Sequence, residues 1–471
     1  MRRPLLLFLL SLLLFLVACG GSSTDSVTPT QLKLNLTTAS TLVGQTQQFT
    51  ANIPVTWAVK EQNGGAITSN GLYTAPRSLG VFHVMATAVS DTSQTATATV
   101  NVSAKFGHLQ EIPNGATPYS VTPIMTTIAP DGTLKSANVM DTSTNKPVDT
   151  QMEDVTISPD GTKAVFTQLT YDIDLEEEYQ AIWIANTDAT SVRQLTFPSS
   201  TMSYGNDRYP SFTPDGKSVI YSHQDNNGSA EANTSYSIRL VGIDGSNKQI
   251  LFEGNPAVST GISVANPYIW HASLSPDGTT IAAEVAYSRT GDGMNWVDGI
   301  ATLATSGPSI VQLTGDPAAM GCINGYAYDE MPAYSPDGSK IVFSRLCDSE
   351  TAMTETILSM DATTGASLTQ LHGSPGLISC QPRALANQIV FSSNVDNPAT
   401  DWFDIYLMNV DGSSLQRVSN NTLYDGFSIW WMNGNYSQTS DSRVLARAKK
   451  ISPMQQRLDH IKQLREHRKQ R

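Results

Sequence analysis

Ser158-Pro159-Asp160-Gly161, Thr213-Pro214-Asp215-Gly216, Ser275-Pro276-Asp277-Gly278 and Ser335-Pro336-Asp337-Gly338 are four copies of one phrase, with starts 55, 62 and 60 residues apart. A phrase recurring at such an interval marks an array of similar units. Each copy spells a tight turn. Proline presets the first corner, aspartate bonds the amides that follow, and glycine takes the left-handed conformation that closes it.

Apolar runs too short for helices follow each turn: Lys163-Ala164-Val165-Phe166-Thr167, Ser218-Val219-Ile220-Tyr221-Ser222, Thr280-Ile281-Ala282-Ala283-Glu284 and Lys340-Ile341-Val342-Phe343-Ser344. They read as buried strands. A third strand ends in a polar turn such as Gly242-Ile243-Asp244-Gly245, and a fourth carries Arg193-Gln194-Leu195-Thr196, Val311-Gln312-Leu313-Thr314 or Thr369-Gln370-Leu371-His372. Four strands per repeat is the unit of a propeller blade. A fifth unit has Gln388-Ile389-Val390-Phe391-Ser392 as its second strand, behind a turn decayed to Leu385-Ala386-Asn387. A sixth has only a first strand, from Asp425 to Trp430. Residues 107–150, with their own Ala129-Pro130-Asp131-Gly132, are expected to supply its remaining strands, since closure removes exposed sheet edges. The expected fold is all-β: a six-bladed propeller over 107–436, its last blade shared between both ends of the array.

This wording of S-P-D-G, apolar run, D-G and Q-L-T resembles the propeller repeats of the TolB family, the periplasmic component of the Tol–Pal system, found also in other exported bacterial proteins. The resemblance covers about residues 150–434. It implies the fold more than the role, because one fold hosts many functions. TolB carries an α/β domain ahead of its propeller, and nothing in residues 20–105 reads as helical.

Residues 1–18 read as an export signal: Arg2 and Arg3, then an apolar run from Leu5 to Val17 that falls short of the roughly 20 residues needed to span a bilayer. Leu16-Val17-Ala18-Cys19 resembles a bacterial lipobox, which implies acylation of Cys19. Gly20 after it resembles lipoproteins forwarded to the outer membrane, so the expected location is exported and lipid-anchored there. Residues 19–30 are a Gly/Ser/Thr tether.

Residues 31–103 form a second small β unit of short alternating strands, expected to be a sandwich. Its Gly64-Gly65-Ala66-Ile67 and Gly71-Leu72-Tyr73-Thr74-Ala75-Pro76 resemble group-2 bacterial Ig-like domains, which implies a spacer or an adhesive module. Trp57 is expected in its core. The tail over 443–471 holds ten Lys/Arg against Asp459 and Glu466, a charge of +8. Subtracting that +8 and the two leader arginines from the chain's −13 leaves −23 on residues 19–442. So acidic a body disfavours nucleic acid as a partner. The tail reads either as a solvated end or as one amphipathic helix contacting anionic lipid, polymer or the acidic propeller.

The repeat register brings Glu153, Asp154, Arg208, Tyr209, Trp270, His271, Glu330 and Met331, with Asp425 from the closing blade, to the starts of the innermost strands. They are expected to converge on one mouth of the central channel. A ring of carboxylates, arginine, aromatics and histidine suits a polar ligand or peptide, though water-facing loop ends look the same. Glu284 stands where other repeats have Thr167, Ser222, Ser344 and Ser392, as a general acid or as the ion partner of Arg289. Cys322, Cys347 and Cys380 fall on one face, and the pairings open are Cys322–Cys347, preferred, and Cys347–Cys380. Asp172, Asp174 and Glu176 are weak calcium candidates in what also reads as a solvated acidic loop; otherwise no cofactor is expected.

No nucleophile elbow, phosphate loop or zinc-protease pair occurs. The expected function is a non-catalytic module, monomeric, that binds a cell-envelope protein or polymer. Its rivals are a carbohydrate-active propeller enzyme, kept open by Glu153, Asp154, Glu330 and Asp425, and a structural spacer.

Overall fold

The computed structural model describes residues 30–114, 117–138, 140–141, 146–147, 152–172, 177–188, 190–198, 204–226, 234–253, 268–288, 296–307, 310–315, 322, 325–349, 353–385, 387–396, 403–419 and 425–426. Among them there is no helix. Cys19, Asp174, Glu176, Arg289 and the tail fall outside the described residues.

Five antiparallel sheets of four strands each follow one another along the chain, each in simple up-and-down order. The first comprises Met152–Ile157, Lys163–Asp172, Glu177–Asn186 and Arg193–Gln194, and the second Tyr204–Phe212, Ser218–Asn226, Thr234–Gly242 and Gln249–Glu253. The third comprises Tyr268–Leu274, Thr280–Ser288, Trp296–Ala304 and Ile310–Gln312, and the fourth Gly325–Tyr334, Lys340–Ser349, Met353–Asp361 and Thr369–His372. The fifth, with the decayed turn, comprises Ser379–Leu385, Gln388–Ser393, Asp404–Asn409 and Gln416–Arg417. These sheets are the blades of a β-propeller. Each outermost strand is five residues or shorter, which limits the edge open to stray pairing.

The repeated turn does what its residues dictate. Gly161, Gly216, Gly278 and Gly338 all have φ between 69° and 75°, the left-handed region. In the fourth blade the Ser335 hydroxyl donates to Asp337 at 2.6 Å, the Ser339 amide donates to the same carboxylate at 3.0 Å, and the Lys340 amide donates to the Ser335 hydroxyl at 2.9 Å. Blades then pack turn to turn. A Cβ on Gly338 would meet Pro276 of the preceding turn at 3.3 Å, and one on Gly216 would meet Pro159 at 3.4 Å.

A sixth sheet closes the ring from both ends of the array. Its inner piece is Asp425–Gly426, antiparallel to the strand Thr95–Asn114 through Asp425 opposite Gln110 and Gly426 opposite Leu109. That long strand pairs onward with Thr117–Ile128, which pairs with Leu134–Asn138 after the turn at Ala129–Gly132. Leu109, fully buried, shares one apolar cluster with Val155 and Phe166 of the first blade and with Ile378, Cys380 and Phe403 around the fifth.

The first half of the same strand belongs to the N-terminal unit. There it pairs antiparallel with Gly80–Ala88 and parallel with Thr38–Leu42. A three-stranded sheet of Thr46–Gln48, Leu72–Thr74 and Ala66–Ile67 covers the core of Phe49, Tyr73, Val84, Ala98, Val100 and Val102, with Trp57 packed against it. One continuous 20-residue strand therefore runs from this unit into the propeller. Leu79 packs against the closing blade's Phe106 and Ile128, which stiffens the junction.

Candidate ligand-binding site in the central channel

The innermost strands share an irregularity that local pattern did not suggest. Each carries a bulge, at Glu153/Thr156, Arg208/Ser211, Trp270/Ser273, Glu330/Ala333 and Cys380/Arg383. In each bulge one non-glycine residue has positive φ: Asp154 (53°), Tyr209 (56°), His271 (48°), Met331 (56°) and Gln381 (58°). Such backbone is costly for an L-residue, by about 1–2 kcal/mol, and repeats only because the packing around it over-determines it. All five side chains are buried, and as equivalent positions of five innermost strands they form a ring around the propeller axis.

The bulge explains three prolines inside central strands. Pro210, Pro332 and Pro382 directly follow Tyr209, Met331 and Gln381, where the ladder is already interrupted and a missing N–H costs least. That recurrence was the signal for Gln381, which reading the turns alone missed.

Two residues ahead of the ring, three blades are stapled by buried cross-strand polar pairs. Asp207 meets His223 at 2.5 Å, Asp329 takes a two-pronged grip from Arg345 at 2.6 and 2.8 Å, and Ser379 meets Ser393 at 2.9 Å. Burial pushes the Asp329 carboxyl up, and the hydrogen bond and charge of Arg345 pull it back.

Next to the ring, the second-strand row is Thr167, Ser222, Glu284, Ser344 and Ser392, facing Glu153, Arg208, Trp270, Glu330 and Cys380. In the fifth blade Ser392 donates to Gln381 at 3.0 Å. In the third, Glu284 lies 2.7 Å from Nδ1 of His271 and also accepts the amide of Met331 in the next blade. Burial raises the Glu284 carboxyl to about 8, with Asp329 adding to the rise, and burial lowers His271 to about 3. Asp154 works against the latter shift, while Arg383 and Arg208 reinforce it. Burial thus disfavours charge on both partners, and the odd carboxylate of the repeat row is accounted for by this pair.

The sequence-selected residues thus divide. Asp154, Tyr209, His271 and Met331 stand in the ring. Arg208 and Trp270, both half-buried, flank it, with the guanidinium 5.9 Å from the indole centroid, and Tyr209 lies 3.9 Å from the His271 ring centroid. Glu330 is 8% exposed. Glu153 sits in its strand, as Asp425 does in the closing strand; their side chains, with that of Asp172, lie outside the described ones. Cys322 and Cys347 are joined by a disulfide, and Cys380, buried, is not part of it. Among the described residues no group of three or more His, Cys, Asp or Glu is placed to hold a metal.

On the turn side of the ring the channel widens into a cavity of about 180 Å³. Its wall is the second half of every innermost strand plus Lys105, Phe106 and Gly107 of the closing blade. Arg383 enters it from the fifth blade; burial lowers its pKa and the nearby Asp154 works the other way. The sequence reading did not select Lys105 or Arg383, since neither stands at a strand start.

No family description and no curated protein matches the chain. Among solved structures it resembles a puromycin hydrolase at 14% identity and TM-score 0.38, over 66% of this chain and 47% of that one. A second is prolyl oligopeptidase B from Galerina marginata, at 8% and 0.34 over 55% and 36%. A third is the β-propeller domain of the Trilobed protease from Pyrococcus furiosus, at 9% and 0.33 over 72% and 80%. The chain thus spans about half the length of the first of these. Likenesses this distant carry no activity across, and the β-propeller construction rests on the strand pairing of the chain itself.

Proposed function

We propose that this chain is an exported, lipid-anchored protein of the cell envelope, held at the outer membrane through Cys19, whose propeller is a non-catalytic binding module on an Ig-like stalk. The observation that carries the binding part is the channel: a ring of buried polar and aromatic side chains backing a cavity with a few convergent polar groups, the form ligand seats take. The anchoring part rests on the Leu16-Val17-Ala18-Cys19 motif, and the partner is an envelope protein or polymer. Crosslinking from envelope membranes tests it, comparing the intact chain with an Arg208→Ala/Trp270→Ala variant checked for folding by circular dichroism. A discrete partner lost in the folded variant is the expected result; capture unchanged by the variant removes the channel from the reading. Cys19→Ala should shift the protein from membrane to soluble fractions.

One feature favours a second reading, a carbohydrate-active enzyme: burial raises the Glu284 carboxyl, the direction a general acid needs. A glycosidase also needs a second reachable carboxylate within about 5–10 Å. Asp329, which acts on Glu284 electrostatically, is fully buried and gripped by Arg345, and Asp154 is 1% exposed. Binding is the better-supported reading, and release of reducing ends from envelope polysaccharide would reverse that order.

A further inference from the structure

The charge of the turn-side cavity is opposite to that of the protein around it. The chain carries −13 overall, yet among the described residues the cavity lining contains Lys105 and Arg383 and no aspartate or glutamate. An acidic body gives a cation-lined pocket no general reason to exist, since carboxylates outnumber cations almost everywhere else. The other lining groups are hydroxyls (Thr156, Ser211, Ser273, Tyr334), the His271 imidazole, and apolar or aromatic walls. Deeper in, Asp154 acts on His271 more strongly than either Arg383 or Arg208, so the cationic character of the cavity rests on Lys105 and Arg383 in its wall. Size narrows the occupant: about 150 Å³ accommodates a benzene ring, and this cavity measures about 180 Å³.

We propose that the turn-side cavity seats a small organic monocarboxylate, its carboxylate paired with Arg383 and Lys105 and its body against Tyr209, Pro332 and Tyr334. This rests on the reading of the channel as a ligand seat and names the chemistry of its occupant. Arginine presents a planar fork that matches a carboxylate, and the partial desolvation of the cavity strengthens that pairing over what water allows. Asp154 attracts the Arg383 guanidinium electrostatically and is not among the residues that line the cavity. Lys105 reaches the Gly161 carbonyl of the first turn at 3.5 Å, a long contact that a bound anion can replace.

The test is calorimetric titration of the full chain with three probes of one shape: benzoate, benzamide and benzylamine. Benzoate is expected to bind with one-to-one stoichiometry, benzamide at least about tenfold more weakly, and benzylamine not at all. Arg383→Gln should weaken benzoate by a further factor of about ten while leaving benzamide unchanged. Ser273→Leu, which fills the cavity and leaves both cations, should abolish all binding. Equal affinity for benzoate and benzamide would overturn the anion assignment while leaving the channel as a ligand seat. No binding of any probe would overturn the small-ligand proposal, and the crosslinking experiment would then decide the protein-partner reading alone. Benzoate binding that persists in folded Ser273→Leu would place the site elsewhere and also sink the proposal.

Discussion

The five contiguous blades and the closing blade are built from the same strand-and-turn units but secured differently. A contiguous blade is a local object. Its second and third strands pair over long runs, ten residues from Lys163 to Asp172 in the first blade, and its inner hairpin is tied by a turn that bonds itself. The closing blade joins Asp425–Gly426 to Leu109 and Gln110 across more than 300 residues of chain, and among the described residues that seam is two pairs long. Joining such distant segments carries a loop-closure cost that local hairpins avoid. The lesson is that blade number and order are decided locally, whereas the integrity of the ring depends on one long-range seam.

The largest expected effect tests how strongly a contiguous blade is held. Arg345→Met leaves Asp329 buried and unpaired and should cost about 3–5 kcal/mol in urea denaturation. Adding Asp329→Leu should recover most of that loss, and failure to recover would mean that the pair is doing more than neutralising itself.

A matched pair of substitutions then sets seam against blade. Leu109→Ala and Ile281→Ala each remove a fully buried side chain, and each should cost about 2–5 kcal/mol. Only Leu109→Ala should also lower the urea slope or split the transition, because opening the seam lets the ring come apart in stages. Identical slopes for the two would erase the distinction drawn above.

A third measurement concerns the third blade and its acid–base pair. The Glu284 carboxyl has its pKa raised in the folded state, so its contribution is fully present below the ordinary glutamate value and is lost as pH rises toward about 8. His271 has the opposite sense: its lowered pKa makes stability rise with pH from about 3 to the ordinary imidazole value. Stability should therefore peak between the two limbs. Glu284→Gln should flatten the alkaline limb by about 1–2 kcal/mol, less than the bare shift implies because the carboxyl is 16% exposed. A wild-type midpoint that does not move between pH 5 and pH 8 would contradict this account.

The smallest effect isolates the turn. Gly278 has φ of 74° and nothing within 4 Å of the position a Cβ would take, so Gly278→Ala should cost only about 1 kcal/mol, all of it backbone strain. A much larger loss would mean that the turns, like the seam, act on the ring as a whole.

Much of the architecture was legible in the residues because it is local chemistry. A proline, an aspartate and a glycine in fixed order make the same turn wherever they occur, and the apolar run after each turn is long enough only for a strand. The decayed fifth turn was still readable through Gln388-Ile389-Val390-Phe391-Ser392, and the shared closing blade through the strand that residues 425–430 left unpartnered. The candidate site was legible only in outline. Register selected Asp154, Tyr209 and His271, but not the left-handed bulge in which they are buried.

What the sequence by itself determined is therefore the repeat, the blades and the face on which polar residues gather, since each depends on neighbours in the chain. What only the tertiary structure decided is which side chains meet. Glu284 pairs with His271 and reaches Met331 of the next blade, and Arg383 comes beside Asp154. Cys322 bonds Cys347, and Cys380 stays outside that bond. Contacts between blades depend on the curvature of the closed ring, which no single repeat contains; Lys105 and Arg383 come to line one cavity although 278 positions separate them in the chain.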